Sequence, residues 1–187
     1  MARTVIAALF SSVDGAVQSP NEWQGDAFDD DLGQLLTETI SAVDAILLGR
    51  VTYSEWAGYW PSVSGDTPDG GFATFINTTP KYVASRTLSQ QDLTWSNSHL
   101  IETELVEHVR AMKETEGSTI AVNGSISVVR ELFLAGVLDE LTLIIHPVVA
   151  GPGYRRLFEG TATTPLRLLR GRTTTAGNSV VTYALRS

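Results

Sequence analysis

The sequence predicts an α/β fold with a mostly parallel central sheet and an antiparallel C-terminal edge. Short continuous apolar runs alternate with stretches whose apolar residues recur at helical spacing, the pattern of strands buried on both faces beneath packed helices. The chain closes in two alternating stretches joined around Gly177-Asn178, which reads as a hairpin. No internal repeat and no linker divides the 187 residues, so one domain over residues 1–187 is expected.

Each element has its own signal. Val5 to Phe10 is a continuous apolar run and reads as a buried strand. Asp14-Gly15 follows as a turn, then a polar loop through Trp23 and Gly25. Asp29, Asp30 and Asp31 open a helix, since carboxylates suit its positive N-terminal end. Leu32, Leu35, Leu36, Ile40 and Val43 keep one apolar face along it. Ala45 to Leu48 is a second strand, Thr52 to Trp56 the start of a short helix, and Pro61 to Gly71 a surface loop. Lys81 to Ser85 is strand-like, and Leu105, Val109 and Met112 mark another amphipathic helix. Thr119 to Val122 is a strand. Ile126, Val129 and Phe133 continue as a helix ending at Gly136. Leu141 to Val149 is long and β-branched, hence a strand; Leu166 to Thr173 and Ser179 to Leu185 form the final pair.

Composition removes several function classes. The net charge of -8 argues against a nucleic-acid partner, which needs clustered cations. With no cysteine, disulfides, thiolate catalysis and cysteine-ligated zinc are excluded. The apolar stretch ending at Phe10 is too short for a signal-peptide core, and no run reaches membrane-spanning length, so a cytoplasmic protein with no membrane partner is expected. His99, His108 and His146 are far apart in sequence, and no metal site is expected. Ser12 or Ser125 with a histidine would serve a hydrolase, but no G-x-S-x-G elbow is present. Trp56, Tyr59 and Trp60 fit a core or a dimer contact better than a pocket wall, and Asp139-Glu140 fits a structural turn.

Ligands of such sheets bind at the carboxyl ends of the strands. Gly49-Arg50-Val51-Thr52 leaves a strand and opens a helix, offering free amides, a guanidinium and a hydroxyl to a phosphate. Ser85-Arg86-Thr87 ends the next strand with hydroxyls beside a guanidinium, an anion cradle of the kind that separates NADP from NAD. Asn123-Gly124-Ser125 repeats the strand-to-helix geometry. Three such turns on successive strand ends point to a dinucleotide laid across the sheet edge. Neither the Rossmann G-x-G-x-x-G nor a P-loop is present.

The ordered set of motifs carries a resemblance. Ser12-Val13-Asp14-Gly15, Leu48-Gly49-Arg50-Val51-Thr52-Tyr53, the run from Lys81 to Leu88, Asn123-Gly124-Ser125, Leu138-Asp139-Glu140-Leu141, His146-Pro147-Val148 and Gly151-Pro152-Gly153 follow one another over nearly the whole chain. Together they resemble the dihydrofolate reductase-like family that includes the C-terminal reductase domain of the riboflavin-biosynthesis protein RibD. The resemblance implies a three-layer fold of about eight strands and NADPH as cofactor. By that resemblance Gly49, Arg50 and Thr52 would hold the pyrophosphate, while Ser85, Arg86 and Thr87 would meet the 2′-phosphate end. Gly124, Ser125 and Ile126 would contact the cofactor backbone. Ala8 and the segment from Asp14 through Gly15 to Val17 would flank the nicotinamide. A stand-alone reductase forming a homodimer is implied.

The expected function is hydride transfer from NADPH to a small heterocycle, pterin-like or 5-amino-6-ribosylaminouracil-like. A carboxylate such as Asp14 or Asp31 is the candidate to assist protonation through water. The alternative is an NADP-nucleotide-binding protein of the same fold with little or no turnover. A side chain at Gly49 is expected to block the phosphate more than it disturbs the fold.

Overall fold

The buried apolar runs pair into one eight-stranded sheet in a computed structural model that describes residues 3–67 and 69–186. Met1, Ala2, Pro68 and Ser187, which the sequence places in the N-terminal stretch, the 61–71 loop and the C-terminal tail, lie outside the described residues. The strands are β1 (Thr4–Ser11), β2 (Val43–Gly49), β3 (Lys81–Ala84), β4 (Ser98–Leu100), β5 (Thr119–Val122), β6 (Glu140–Ile145), β7 (Leu166–Thr173) and β8 (Ser179–Leu185). Their order is β4-β3-β2-β5-β1-β6-β8-β7. The neighbours from β4 to β6 are parallel, and β8 and β7 complete the edge as antiparallel strands. This is the mostly parallel sheet with an antiparallel C-terminal edge that the sequence predicts.

The two faces of the sheet are covered differently, and that difference makes the cleft. The helices are α1 (Asp30–Ser41), α2 (Arg50–Ala57), α3 (Gly70–Thr78), α4 (Leu105–Lys113) and α5 (Ile126–Leu134). On one face Val5, Ala7, Leu47, Ile120 and Val122 join Val109 of α4 and Val129 and Phe133 of α5 in one continuous core. On the other face the apolar residues fall into two separate clusters. Leu32 of α1 packs with Ile144 and Val180, while Tyr53 of α2 and Ile76 of α3 pack with Ile46, Leu48 and Val83. Between the clusters the floor is built of small or half-covered residues in register, Ile6 and Ala8 of β1 and Ala121 of β5. With no helix of the described residues over this floor, a trough runs across the middle of the sheet.

Local chemistry fixes the helices that wall it. Asp29 caps α1, its Oδ1 accepting the Leu32 amide at 2.9 Å. Lys81, fully buried in β3, closes the C-terminal end of α3: its Nζ donates to the carbonyls of Ile76 at 2.8 Å and Thr79 at 2.9 Å. It also lies 4.5 Å from the centre of the Trp95 ring, a cation–π contact. Burial pushes this amine down to about 8, which leaves it charged at neutral pH. His146, also fully buried, is joined through Nδ1 to Asn178 Oδ1 at 2.6 Å, and burial lowers its pKa. Asn178 in turn donates to the Ala27 carbonyl at 2.6 Å, so the β7–β8 turn braces the approach to α1.

Several boundaries differ from the sequence reading. Val43 does not continue α1; it begins β2, because Ala42 caps the helix and the chain turns into the sheet. The strand expected through Val149 stops at Ile145, where His146 enters the interior and Pro147 has no amide to donate. The loop read through Gly71 gives way at Gly70 to α3, which packs Ala73 and Ile76 inward. Strand β4, three residues long, carried no readable alternation.

Candidate functional site

The trough is a cleft of about 1460 Å³ opening at the carboxyl ends of β1, β2, β3 and β5. Its volume exceeds the roughly 300–1,000 Å³ of a pocket for one small ligand, which leaves room for a ligand longer than a single ring. Ala8 and Val17 line it, as do Gly49, Arg50 and Thr52, Ser85, Arg86 and Thr87, and Gly124, Ser125 and Ile126. The structure therefore gathers the three strand-end turns singled out in the sequence along one cleft.

Two helix starts meet there. Gly49 N donates to the Gly124 carbonyl at 2.9 Å, joining the end of β2 to the end of β5. Helix α2 begins directly after Gly49 and α5 directly after Ser125, and neither start has a side-chain cap. First-turn amides have no intrahelical acceptor, so both starts present donors and a positive dipole end to the cleft. Arg50, exposed on the first turn of α2, adds a full charge. The peptide bond between Gly124 and Ser125 is cis.

The reason for glycine at position 49 differs from the one read in the sequence. Its φ of -79° is open to any residue, and its own amide is already bonded. A Cβ there would lie 2.8 Å from the Ser125 nitrogen, and one on Gly124 would lie 2.7 Å from Thr52 Oγ1. Glycine is needed because the two turns touch. A side chain at Gly49 would thus strike the fold itself, and it cannot separate phosphate binding from stability as expected.

At the next strand end, Ser85 Oγ accepts the amides of Thr87 at 3.1 Å and Leu88 at 3.0 Å. That local turn holds Arg86 and Thr87 outward and exposed at the cleft.

Three expected residues stand apart from the lining: Gly15, Asp14 and Asp31. Gly15, at φ +84°, shapes the turn closed by Gly15 N to Ser12 O at 3.0 Å. Asp14 stitches two loops together. Its carboxylate accepts Ser12 Oγ at 2.6 Å, Ala150 N at 2.9 Å and Gly151 N at 3.2 Å, with Arg156 Nη2 at 3.2 Å. Asp31 accepts both the amide and the hydroxyl of Thr175, at 2.8 and 2.6 Å. Hydrogen bonds to the anion, from Ser12 in one case and Thr175 in the other, hold both carboxyls below the ordinary range. Each carboxylate is thus engaged in hydrogen bonds between loops, and neither lines the cleft.

Sequence reading missed other parts of the lining. Phe28, Leu36 and Ile40 face the cleft from the α1 side, and Trp56, Trp60 and Phe72 from the α2–α3 side. Trp56 and Trp60 pack against the α2–α3 core cluster, as the sequence suggests, and line the cleft as well. Glu55 and Asp69 line the cleft as well. The i, i+3, i+4 spacing of Phe72, Phe75 and Ile76 signalled α3, but Gly70-Gly71 hid its start. Among the described residues no group of three or more His, Asp or Glu is placed to hold a metal, and no helix is long and apolar enough to cross a membrane.

Comparison with known proteins agrees with this architecture. The family model of the RibD C-terminal domain matches residues 3–182. The chain belongs to the RibD C-terminal domain family. One relative of this RibD C-terminal domain is the uncharacterized protein YyaP of Bacillus subtilis strain 168. It is 28% identical over 182 residues, spanning 97% of this chain and 94% of that one. A putative riboflavin biosynthesis protein from Shewanella sp. PV-4 superposes with a TM-score of 0.77 at 16% identity, with all of both chains covered. Dihydrofolate reductase from Enterococcus faecalis, solved as a complex with NADP(H), gives 0.60 at 14% identity, covering 98% of this RibD C-terminal domain chain and 97% of that one. The fold is therefore dihydrofolate reductase-like.

The stitching role of Asp14 has a pH signature. Its folded pKa lies below the ordinary 3.8, so the stability it contributes is complete above that value and lost as the pH falls through the folded one. Asp14→Asn is expected to lower the urea midpoint at neutral pH and to flatten the loss of stability below about pH 4. Urea titrations across a pH series check this; an unchanged acid limb in the variant contradicts it.

Proposed function

We propose that this protein is an NADPH-dependent reductase acting on a small heterocyclic substrate. The observation that carries the reading is the side-by-side placement of two uncapped helix starts, α2 and α5, on one cleft with Arg50 and the Ser85–Thr87 turn. A pyrophosphate is the ligand whose charge and span match two adjacent sets of free amides. One further phosphate matches a guanidinium flanked by hydroxyls one strand away. The Enterococcus reductase complexed with NADP(H) supports the cofactor class, and membership of the RibD C-terminal domain family supports a reductase.

In this reading the first-turn amides at 50–52 and 126–128 bind the pyrophosphate, with Arg50 adding charge. Arg86 and Thr87 orient the 2′-phosphate. The bound cofactor supplies a hydride; the protein supplies position and the exclusion of water. Ala8 and Val17 bound the space beside the reacting ring, where a larger residue at Ala8 would crowd it. The proton comes through water, because Asp14 and Asp31 are engaged elsewhere.

A second reading is that the protein binds NADP nucleotides with little turnover. It is favoured by one observation, that neither candidate carboxylate lines the cleft. NADPH consumption across a panel of pterins and aminouracils, beside simple NADPH binding, separates the two. In either reading the protein acts in the cytoplasm with no nucleic-acid or membrane partner, and a place in riboflavin biosynthesis belongs to the same proposal.

Two outcomes follow. NADPH is expected to bind more tightly than NADH, and Arg86→Ala to weaken NADPH by about tenfold while leaving NADH little changed. Dissociation constants for both nucleotides check this, and equal affinities in the wild type contradict it. The protein is also proposed to be a homodimer, since β7 leaves one sheet edge open and Leu168 on it is 58% exposed. Light scattering is expected to give twice the chain mass; a monomer mass at micromolar concentrations contradicts the dimer.

A further inference from the structure

Behind the α1-side wall of the cleft lies a titratable group that the cofactor reading does not use. His146 is fully buried just past the end of β6, where its amide donates to the Ser11 carbonyl at 2.8 Å. Its ring packs against Phe10, with centroids 5.2 Å apart, and meets Trp23 edge to face at 6.0 Å. Phe10 in turn meets Phe28 at 6.4 Å, and both phenylalanines line the cleft.

The network around the ring fixes its proton. Asn178 Nδ2 donates to the Ala27 carbonyl at 2.6 Å and to Thr174 Oγ1 at 2.8 Å. The atom facing His146 is therefore the amide oxygen, an acceptor, and His146 Nδ1 is the donor across 2.6 Å. Nε2 is left as a bare acceptor, buried and with no partner among the described residues. Gln24 Oε1, on the residue after Trp23, is a second acceptor in the same state. Two acceptors cannot bond to each other. Protonation turns Nε2 into a donor, and a buried donor without an acceptor is costly. Satisfying it requires the wall to move, so that Nε2 meets water or Gln24 Oε1.

The surroundings do not neutralise an imidazolium. Strand β1 and residues 179–181 of β8 carry no titratable side chain. Asp29, at the start of α1, acts on the ring through space, its own carboxylate engaged by the Leu32 and Ala176 amides. Asp31 is engaged by Thr175, Asp14 by Ala150 and Gly151, and Glu22 by the Tyr154 hydroxyl, while Asp26 is exposed. Burial outweighs the Asn178 bond and the pull of Asp29, and keeps the imidazole below its ordinary 6.5.

We propose that His146 is an acid-sensitive latch on residues 23–28. Neutral, it holds Trp23 and, through Asn178, Ala27 in the closed wall; protonated, it releases them and the α1 side of the cleft opens. The direction follows from linkage. Release lets water reach the ring, which then titrates at its ordinary value, whereas the closed wall holds it lower. Closure is therefore complete above about pH 6.5. It weakens as the pH falls, by up to about tenfold per unit, until the closed state itself takes the proton.

The test is a nuclear magnetic resonance titration of the full chain without ligand, from about pH 8 to about pH 5, a window above the ordinary carboxylate range. The His146 ring signals and the backbone amides are followed together. His146 is expected to titrate below 6.5, and the amides of residues 24–28 to shift or broaden at the same midpoint. The amides of α5 serve as the reference and are expected to hold, since His99 on β4 and His108 on α4 titrate elsewhere. His146→Asn keeps a donor for Asn178 and cannot titrate, so its 24–28 amides are expected to lose the transition. A His146 that titrates at or above 6.5 overturns the latch. So do 24–28 amides that ignore its titration, a transition that persists in His146→Asn, or one that takes α5 with it as global unfolding. If His146→Asn does not fold, the wild-type titration alone decides.

Discussion

The structure depends on the contact between Gly49 and the Gly124–Ser125 turn. Strands β2 and β5 are neighbours in a parallel sheet, so their carboxyl ends emerge together and the helices that follow start together. The amide of Gly49 bonded to the Gly124 carbonyl draws the turns close, and a Cβ 2.8 Å from the Ser125 nitrogen leaves room for glycine only. That closeness aligns two helix N-termini on one spot. A single helix start is a weak anion site; two adjacent ones double the donors and superpose the dipole ends.

The cleft itself comes from what the sheet lacks on one face. Under α4 and α5 the apolar residues form one core, while on the opposite face they split into an α1 cluster and an α2–α3 cluster. The strands between carry Ala8 and Ala121, too small to fill the gap. Anchoring of the walls is polar. Lys81 closes α3 by donating to its last carbonyls, and Asp29 and Asp31 tie the start of α1 to the turn between β7 and β8. Asp31, a candidate acid in the sequence, helps to hold the α1 wall in place.

Much of this was legible in the sequence because strand burial and turn chemistry are local. The buried runs of β1, β2 and β5 and the hairpin pair β7–β8 read directly from apolar continuity and alternation. The turns at Gly49, Ser85 and Gly124 read from residue type at strand ends. Long-range partners did not. Asp14 resembles a free carboxylate until Ala150 and Gly151, far along the chain, donate their amides to it. Gly49 resembles a phosphate-loop glycine until Ser125 is seen against it. Trp56 and Trp60 signal burial in the sequence, and only the gap between clusters shows that core residues also wall the cleft. Helix α3 escaped because two glycines at its start outweighed a short apolar spacing.

Amide hydrogen exchange resolved to single residues, with and without NADPH, tests most directly whether two helix starts form one phosphate site. The account predicts slower exchange at residues 50–52 and 126–128 together, with Arg86 and Thr87 following, and little change in α4. Saturating NADPH that left both helix starts unprotected, or protected one without the other, would contradict it.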